Sequence, residues 1–289
     1  MKKYYESPKG GAEKKAARLP DWLITPTFII GMVILLVVLF AAIFPGAIAP
    51  YDPDAVNIVA RSQAPSAEHI FGTDNYGRDI FSRVVWGARI DLSIGFFGVL
   101  IPFVIGSLIG LLAGWYGGVL DSVLMRFSEI MMAFPFTILV IAIIAILGPG
   151  TINLYIALWL VGWMSYAKLV RAEVLSLKQS EFVEAARVAG FTDARILLRH
   201  VLPNVISSSI VFAASDMVLC MLTGASMSFL GLGVQPPTSE WGAMLNEGRT
   251  YITTASWMTF YPGLCLAITG VGLSLLGDSL TDILRKKGR

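Results

Sequence analysis

Glu184-Ala185-Ala186-Arg187-Val188-Ala189-Gly190, running on to Leu202-Pro203, is a charged, helix-patterned stretch in a chain that is apolar almost everywhere else. Phe182, Ala185, Ala186 and Ala189 recur at helical spacing, Glu181 and Glu184 fall on another face, and Ser180 stands where a capping hydroxyl belongs. Gly190 suits the left-handed backbone that ends a helix. Thr192-Asp193 can then cap a second short helix that turns Ile196, Leu197 and Val201 inward and Arg195 and Arg199 outward. Pro203 is expected to stop that helix where the next apolar segment begins. The spacing therefore predicts a protrusion of two short helices, whose small alanines admit another surface closely. The same pattern suits an amphipathic element lying on lipid headgroups, and the residues alone leave both readings open.

The surroundings of this stretch set the class of the protein. Hydrophobic residues make up 55% of the 289 and charged residues only 15%, against roughly 25% charged in ordinary soluble domains. Six apolar segments, about 27–48, 90–115, 127–147, 151–170, 204–231 and 258–280, each approach the roughly 20 residues that cross a bilayer core. The expectation is an all-α, polytopic membrane protein with six transmembrane helices. The first segment follows a basic leader and precedes Ala47-Ile48-Ala49, but its apolar run from Phe28 to Phe44 exceeds the core of an ordinary secretory signal, so it reads as a retained anchor.

Lysine and arginine give the orientation. With the amino end inside, 17 of the 22 fall in residues 1–26, at Arg126, in 168–200 and in 285–289; only Arg61, Arg78, Arg83, Arg89 and Arg249 fall on the other side. That asymmetry places both termini in the cytoplasm, as an even number of spans also requires. The organisation expected is a cytoplasmic tail (1–26), a membrane domain (27–284) with external segments at 49–89 and 232–257 and a cytoplasmic loop at 171–203, and a second tail (285–289). A net charge of +2 without a basic patch gives no case for nucleic acid.

Chemistry-bearing motifs are few. Gly72-Thr73-Asp74 and Gly77-Arg78-Asp79 lack the ligand spacing of a calcium loop, since the twelfth position from Asp74 is Val85, and read as a turn with local Asp and Arg pairing. Cys220 and Cys265 have no metal spacing and read as packing thiols. No Gly-Lys dipeptide occurs, so a phosphate-cradling loop of that type is absent. Gly106, Gly110 and Gly114 form a smooth ridge for close helix contact, and Pro102 and Pro135 are candidate kinks. The segment at 204–231 is rich in serine and contains Asp216, taken as the one acid well inside a span. Asp216, with Met217 and Met221, is the candidate lining of a translocation path; a carboxyl bonded to neighbouring helices is the alternative.

Glu184-Ala185-Ala186, three residues, Gly190, then Leu202-Pro203 resembles the signature loop of permease subunits in bacterial ABC importers. With Phe71-Gly72-Thr73-Asp74, Gly77-Arg78-Asp79, Leu230-Gly231-Leu232-Gly233, Gln235-Pro236-Pro237, Glu240-Trp241-Gly242 and Gly277-Asp278, the chain is similar over about residues 20–284 to the dipeptide, oligopeptide and nickel permease family, above all to the second permease of dipeptide importers. His200, three positions before Pro203, departs from the aliphatic residue usual there. The resemblance implies a type I ABC importer transmembrane domain in the bacterial inner membrane. It further implies that Glu184, Ala185, Ala186, Gly190, Leu202 and Pro203 form a coupling loop docked on a cytoplasmic ATPase. The chain would bind no cofactor and hydrolyse nothing itself; two ATPase subunits would use ATP and Mg, beside a second homologous permease, an extracytoplasmic solute-binding protein and membrane lipid. Di- or oligopeptides are the favoured cargo, with glutathione, antimicrobial peptides and nickel complexes open. An ion-coupled carrier should show several intramembrane acids or a repeat, and a scaffold without transport leaves the loop unexplained.

Overall fold

A computed structural model describes residues 25–287, with side chains as far as Asp282. The expected tail 1–26 lies outside the described residues except for Thr25 and Pro26, and of 285–289 only helical backbone to Lys287 is described. The elements are α1 (Pro26–Ile43), α2 (Pro45–Ile48), α3 (Ile80–Tyr116), α4 (Gly118–Met132), α5 (Phe136–Leu147), α6 (Thr151–Leu177), α7 (Glu181–Val188), α8 (Asp193–Ile196), α9 (Leu202–Phe229), α10 (Trp241–Gly248) and α11 (Trp257–Lys287). Among the described residues there is no β-sheet, only an isolated bridge between Thr73 and Asp79.

Among the described residues, four helical stretches are long and apolar enough to cross a membrane: α1, α3, the continuous run Asp193–Phe229, and α11. The pair α4 and α5, bent by 92° at the break between them, makes a fifth only if the two count as one span. The segment expected at 127–147 is therefore not one rod. Pro135 lacks a donor and holds extended backbone at φ −57°, ψ 133°, so α4 ends at Met132 and α5 starts afresh. The first segment likewise stops at Phe44, because Pro45 opens the separate turn α2.

α3 begins ten residues before its expected start. Asp79 Oδ2 accepts the Ser82 N–H at 2.7 Å and fixes the first turn, and the polar residues that masked it in the sequence, Ser82 and Arg83, are buried. At 1.5 Å per residue its 37 residues span about 55 Å, so α3 links two distant ends of the bundle. Pro102 is accommodated without a break, against Gly162 of α6.

α6, at 27 residues, is long enough to span but carries Asn153, Lys168, Arg171 and Glu173. It packs along α3 on the glycine ridge. A Cβ at Gly106 would meet the Trp163 carbonyl, one at Gly110 the Ala167 carbonyl, and one at Gly114 would stand 2.9 Å from Val174 Cβ. The ridge thus lets two backbones approach to near contact, which is how helices gain dispersion energy where lipid offers equal hydrophobicity. A second seam has no glycine ridge to mark it in the sequence: Gly31 of α1 meets Gly272 of α11, where a Cβ would lie 2.9 Å from the Gly272 carbonyl oxygen.

Candidate functional site

At one end of the bundle, α7 and α8 sit on the tips of α3, α6 and α9. Val183, Ala186, Ile196, Leu197 and Val201 pack with Leu111 and Trp115 of α3, Val170 and Val174 of α6 and Val205 of α9 in one buried cluster. The inward face of α7 is therefore Val183 and Ala186. Phe182, Ala185 and Ala189, expected beside Ala186, are exposed, as are Glu184 and Val188. The reason is the short length of α7: two inward positions suffice to seat eight residues, and the remaining apolar side chains are left facing out.

The termination of α7 follows from Gly190. Its φ of +78° lets its N–H reach the Arg187 carbonyl at 2.9 Å and the Phe191 N–H reach Ala186 at 3.1 Å, the paired bonds of a Schellman end. Ser180 does not cap the start: its hydroxyl donates backward to the Leu177 carbonyl at 2.5 Å. Thr192 precedes α8 in extended conformation and its side chain makes no capping bond either.

Two features join the helix pair to the bundle. Arg187 lies over the Trp115 ring, 5.1 Å from its centroid, and Lys178 Nζ donates to the Trp115 carbonyl at 2.5 Å, so α7 is held on the end of α3. Pro203 does not stop the second helix. A π-helical turn, Leu197–Val201, carries α8 directly into α9, and Pro203 stands in the first turn of α9, where a missing N–H costs little. His200 stacks on Phe191 (centroids 6.0 Å, planes 11° apart), which accounts for a ring where an aliphatic residue was expected.

In the middle of α9, Asp216 Oδ2 accepts the Tyr166 hydroxyl of α6 at 2.9 Å. Met217 is half-buried, whereas Met221 is fully buried beside Gly95 of α3. Cys220 is buried against Gly98, and Cys265 is half-buried; both are free thiols. Asp216 is not the only acid inside the bundle. Asp91 of α3 is fully buried, and its Oδ2 accepts the Trp241 N–H of α10 at 3.0 Å. In the sequence Asp91 stands at the edge of the apolar segment 90–115, where an acid reads as a boundary residue.

The opposite end of α3 is a cap built on charge. Asp74 accepts Arg78 Nε at 2.6 Å and Arg83 Nη1 at 2.8 Å, and both arginines reach Glu247 Oε2, at 2.9 and 2.7 Å. The local Asp and Arg pairing read from the sequence is present, but it extends to α10, 169 residues away. Burial would lower the Arg78 pKa, yet Asp74 and Glu247 hold it above the usual value. Glu240 caps α10 through the N–H groups of Gly242 (2.9 Å) and Ala243 (2.7 Å); its complete burial outweighs those bonds and pushes its carboxyl above the usual range. Trp241 Nε1 donates to the Val84 carbonyl at 2.9 Å, its ring lying on Gly87, while Gly242 meets Ala225 of α9. Glu240-Trp241-Gly242 is thus a three-way joint among α3, α9 and α10.

A bundle of long apolar helices, with a helical knob at one end and a polar cap at the other, is the architecture of a membrane-embedded protein. The chain belongs to the family described as binding-protein-dependent transport system inner membrane component, which matches residues 106–289; residues 25–65 match the N-terminal TM domain of oligopeptide transport permease C. It is 41% identical to the dipeptide transport system permease protein DppC of Alkalihalophilus pseudofirmus, over 90% of this chain and 85% of that one. It is 47% identical to the glutathione transport system permease protein GsiD of Escherichia coli, over 88% and 84%. A solved structure of the MetNI methionine ABC transporter in inward-facing conformations shares the fold, with a TM-score of 0.55 and 21% identity, covering 71% of this chain and 97% of that chain. The chain is therefore an ABC permease component and a multi-pass membrane protein.

Proposed function

We propose that this chain is one of two permease subunits of an importer for di- or oligopeptides and forms half of the translocation path. On this reading α7 and α8, with Glu184, Ala185, Ala186, Gly190, Leu202 and Pro203, are the coupling element within the loop 171–203. Two cytoplasmic ATPase subunits hydrolyse Mg-ATP, a second permease completes the path, and a solute-binding protein delivers cargo to the external segments 49–89 and 232–257. The membrane domain runs from 27 to 284, spans the bacterial cytoplasmic membrane six times with α6 as a span, and leaves both tails in the cytoplasm, as the lysine and arginine distribution supports.

The observation that carries this reading is mechanical. α7 presents Phe182, Ala185, Val188 and Ala189 outward, with Val188 91% exposed, while its other face is fastened to Trp115 and its chain continues through the π turn into α9. A partner closing on the exposed face would push α9 directly and α3 through Trp115, and packed helices shift as units rather than deform. On this reading Asp216 of α9, bonded to Tyr166 and lying where such a shift would act, receives a peptide ammonium, with Met217 beside it. Met221 lies behind them on the same helix. The relatives' names, dipeptide and glutathione permeases, support a peptide cargo.

The test is purification of the chain in mild detergent, identification of co-purifying proteins, and ATPase assay with and without peptides. Recovery of a second permease and ATPases with peptide-stimulated hydrolysis is expected. A lone protein that transports without ATP would overturn the reading.

A further inference from the structure

The joint at Glu240-Trp241-Gly242 buries two carboxyl groups side by side. Asp91 of α3 and Glu240 at the start of α10 are both fully buried, and their side chains stand within hydrogen-bond reach of one another. No arginine, lysine or histidine forms an ion pair with either among the described residues. Glu240 has a donor on each oxygen, the Gly242 N–H on Oε1 at 2.9 Å and the Ala243 N–H on Oε2 at 2.7 Å. It also takes the hydroxyl of Ser228 on α9, whose own oxygen accepts the Val234 N–H at 3.0 Å. Asp91 is less well served. Its Oδ2 accepts the Trp241 N–H at 3.0 Å, whereas Oδ1 is buried and no donor reaches it.

Two carboxylates cannot hydrogen-bond each other, and two like charges in a dry site without a cation are strongly disfavoured. One proton on Asp91 Oδ1 removes both difficulties. It lets Oδ1 donate to Glu240, and it leaves a single negative charge facing the N–H groups of Trp241, Gly242 and Ala243. A metal ion suits the place poorly, because those N–H dipoles repel a cation and no group of three His, Cys, Asp or Glu ligands gathers among the described residues. The groups around the pair are otherwise engaged. Arg83, two turns before Asp91 on α3, is committed to Asp74, Glu247 and the Ser239 hydroxyl, and Glu247 of α10 to Arg78 and Arg83. α9 contributes the Ser228 hydroxyl, and α11 the free, half-buried thiol of Cys265. We propose that Asp91 and Glu240 form a buried site for one proton, which latches α10 to α3 and whose loss frees the joint. Without it, like charges would oppose each other beside the Trp241 N–H bond, and the contact of Gly242 with Ala225 would carry the loosening to α9.

A closed joint keeps a proton that carboxyl groups in water release above about pH 4, so closure weakens as pH rises, by up to about tenfold per pH unit, until the pair itself titrates. Two measurements on the full-length chain in lipid nanodiscs test this. In infrared spectra at neutral pH, a protonated-carboxyl C=O band that moves on carboxyl-¹³C aspartate labelling is expected; it should persist in Asp216→Asn, which removes the acid of α9, and vanish in Asp91→Asn. In amide exchange corrected for the intrinsic rate, protection at Trp241, Gly242 and Ala243 should fall with rising pH by up to about tenfold per unit. Asp91→Asn should abolish that slope, because its amide oxygen still accepts the Trp241 N–H while its NH₂ donates permanently to Glu240. Absence of the aspartic-acid band, a flat parent profile, or a slope that survives in Asp91→Asn overturns the proposal. So does an equal slope at Gly106 and Gly110, which would assign the proton to global unfolding, or protection restored by sodium at constant pH, which would make the pair a cation site. Should Asp91→Asn fail to fold, the parent's exchange slope and the band in Asp216→Asn decide the matter.

Discussion

Gly190 offers a graded test of the proposed coupling element, because its constraint is conformational and not steric. A Cβ there would meet nothing within 4 Å, yet the residue holds φ +78° and supplies one of the two bonds that end α7. Asparagine tolerates that backbone, alanine loses about 1–2 kcal/mol in it, and proline cannot adopt it at all, with a cost of about 3 kcal/mol or more and the loss of the N–H. A penalty of 1–2 kcal/mol changes the ratio of seated to frayed helix ends by roughly 5- to 30-fold. The expected order of coupling is therefore Gly190, Gly190→Asn, Gly190→Ala and Gly190→Pro. Two readouts apply: amide exchange at Gly190 and Phe191 reports fraying, and proteoliposomes report peptide taken up per ATP hydrolysed. The proline variant should insert and assemble, hydrolyse ATP, and transport little. A proline variant with the parent's uptake-to-hydrolysis ratio, or faster exchange without any loss of coupling, would refute the reasoning that the seated end of α7 transmits the stroke.

Other predictions follow from the same geometry. Asp74→Ala leaves two buried arginines facing one carboxylate and should cost about 3–5 kcal/mol, seen as a fall of several degrees in Tm; Asp74→Ala combined with Arg83→Met should recover part of it, and an unchanged Tm in the single variant would sink the network's role. Gly110→Val drives a side chain into the Ala167 carbonyl and should destabilise by about 1–3 kcal/mol, whereas Gly46→Val, with open space around it, should not register in the same unfolding assay. Because burial raises the Glu240 carboxyl, the folded chain binds more protons than the unfolded one between the usual carboxyl range and the raised value, so stability should fall as pH rises through that window. Glu240→Gln should flatten that pH dependence, and a slope that survives it would assign the titration elsewhere. Asp216→Asn keeps an acceptor for Tyr166 and should spare stability while slowing uptake of cationic peptides more than anionic ones; identical kinetics for both would make Asp216 a bundle-bonding residue only.

What the sequence by itself determined is what short-range patterning carries. Apolar runs gave long helices, the glycine ridge gave one helix contact, Gly190 gave the end of α7, and the loop motif gave the family. Tertiary structure decided the rest, because those features depend on partners far along the chain. Which face of α7 turns inward is set by Trp115 and Val174, not by the period of α7 itself. The early start of α3 depends on Arg83 finding Asp74 and Glu247, the second of them 164 residues away. Asp91 reads as a polar boundary until the Trp241 amide, 150 residues on, is seen to need an acceptor there. Pro203 reads as a stop until the π turn before it lets α8 and α9 run together. Periodicity fixes which residues can share a face, but the pairing of buried charge is fixed only once the fold removes water from both partners.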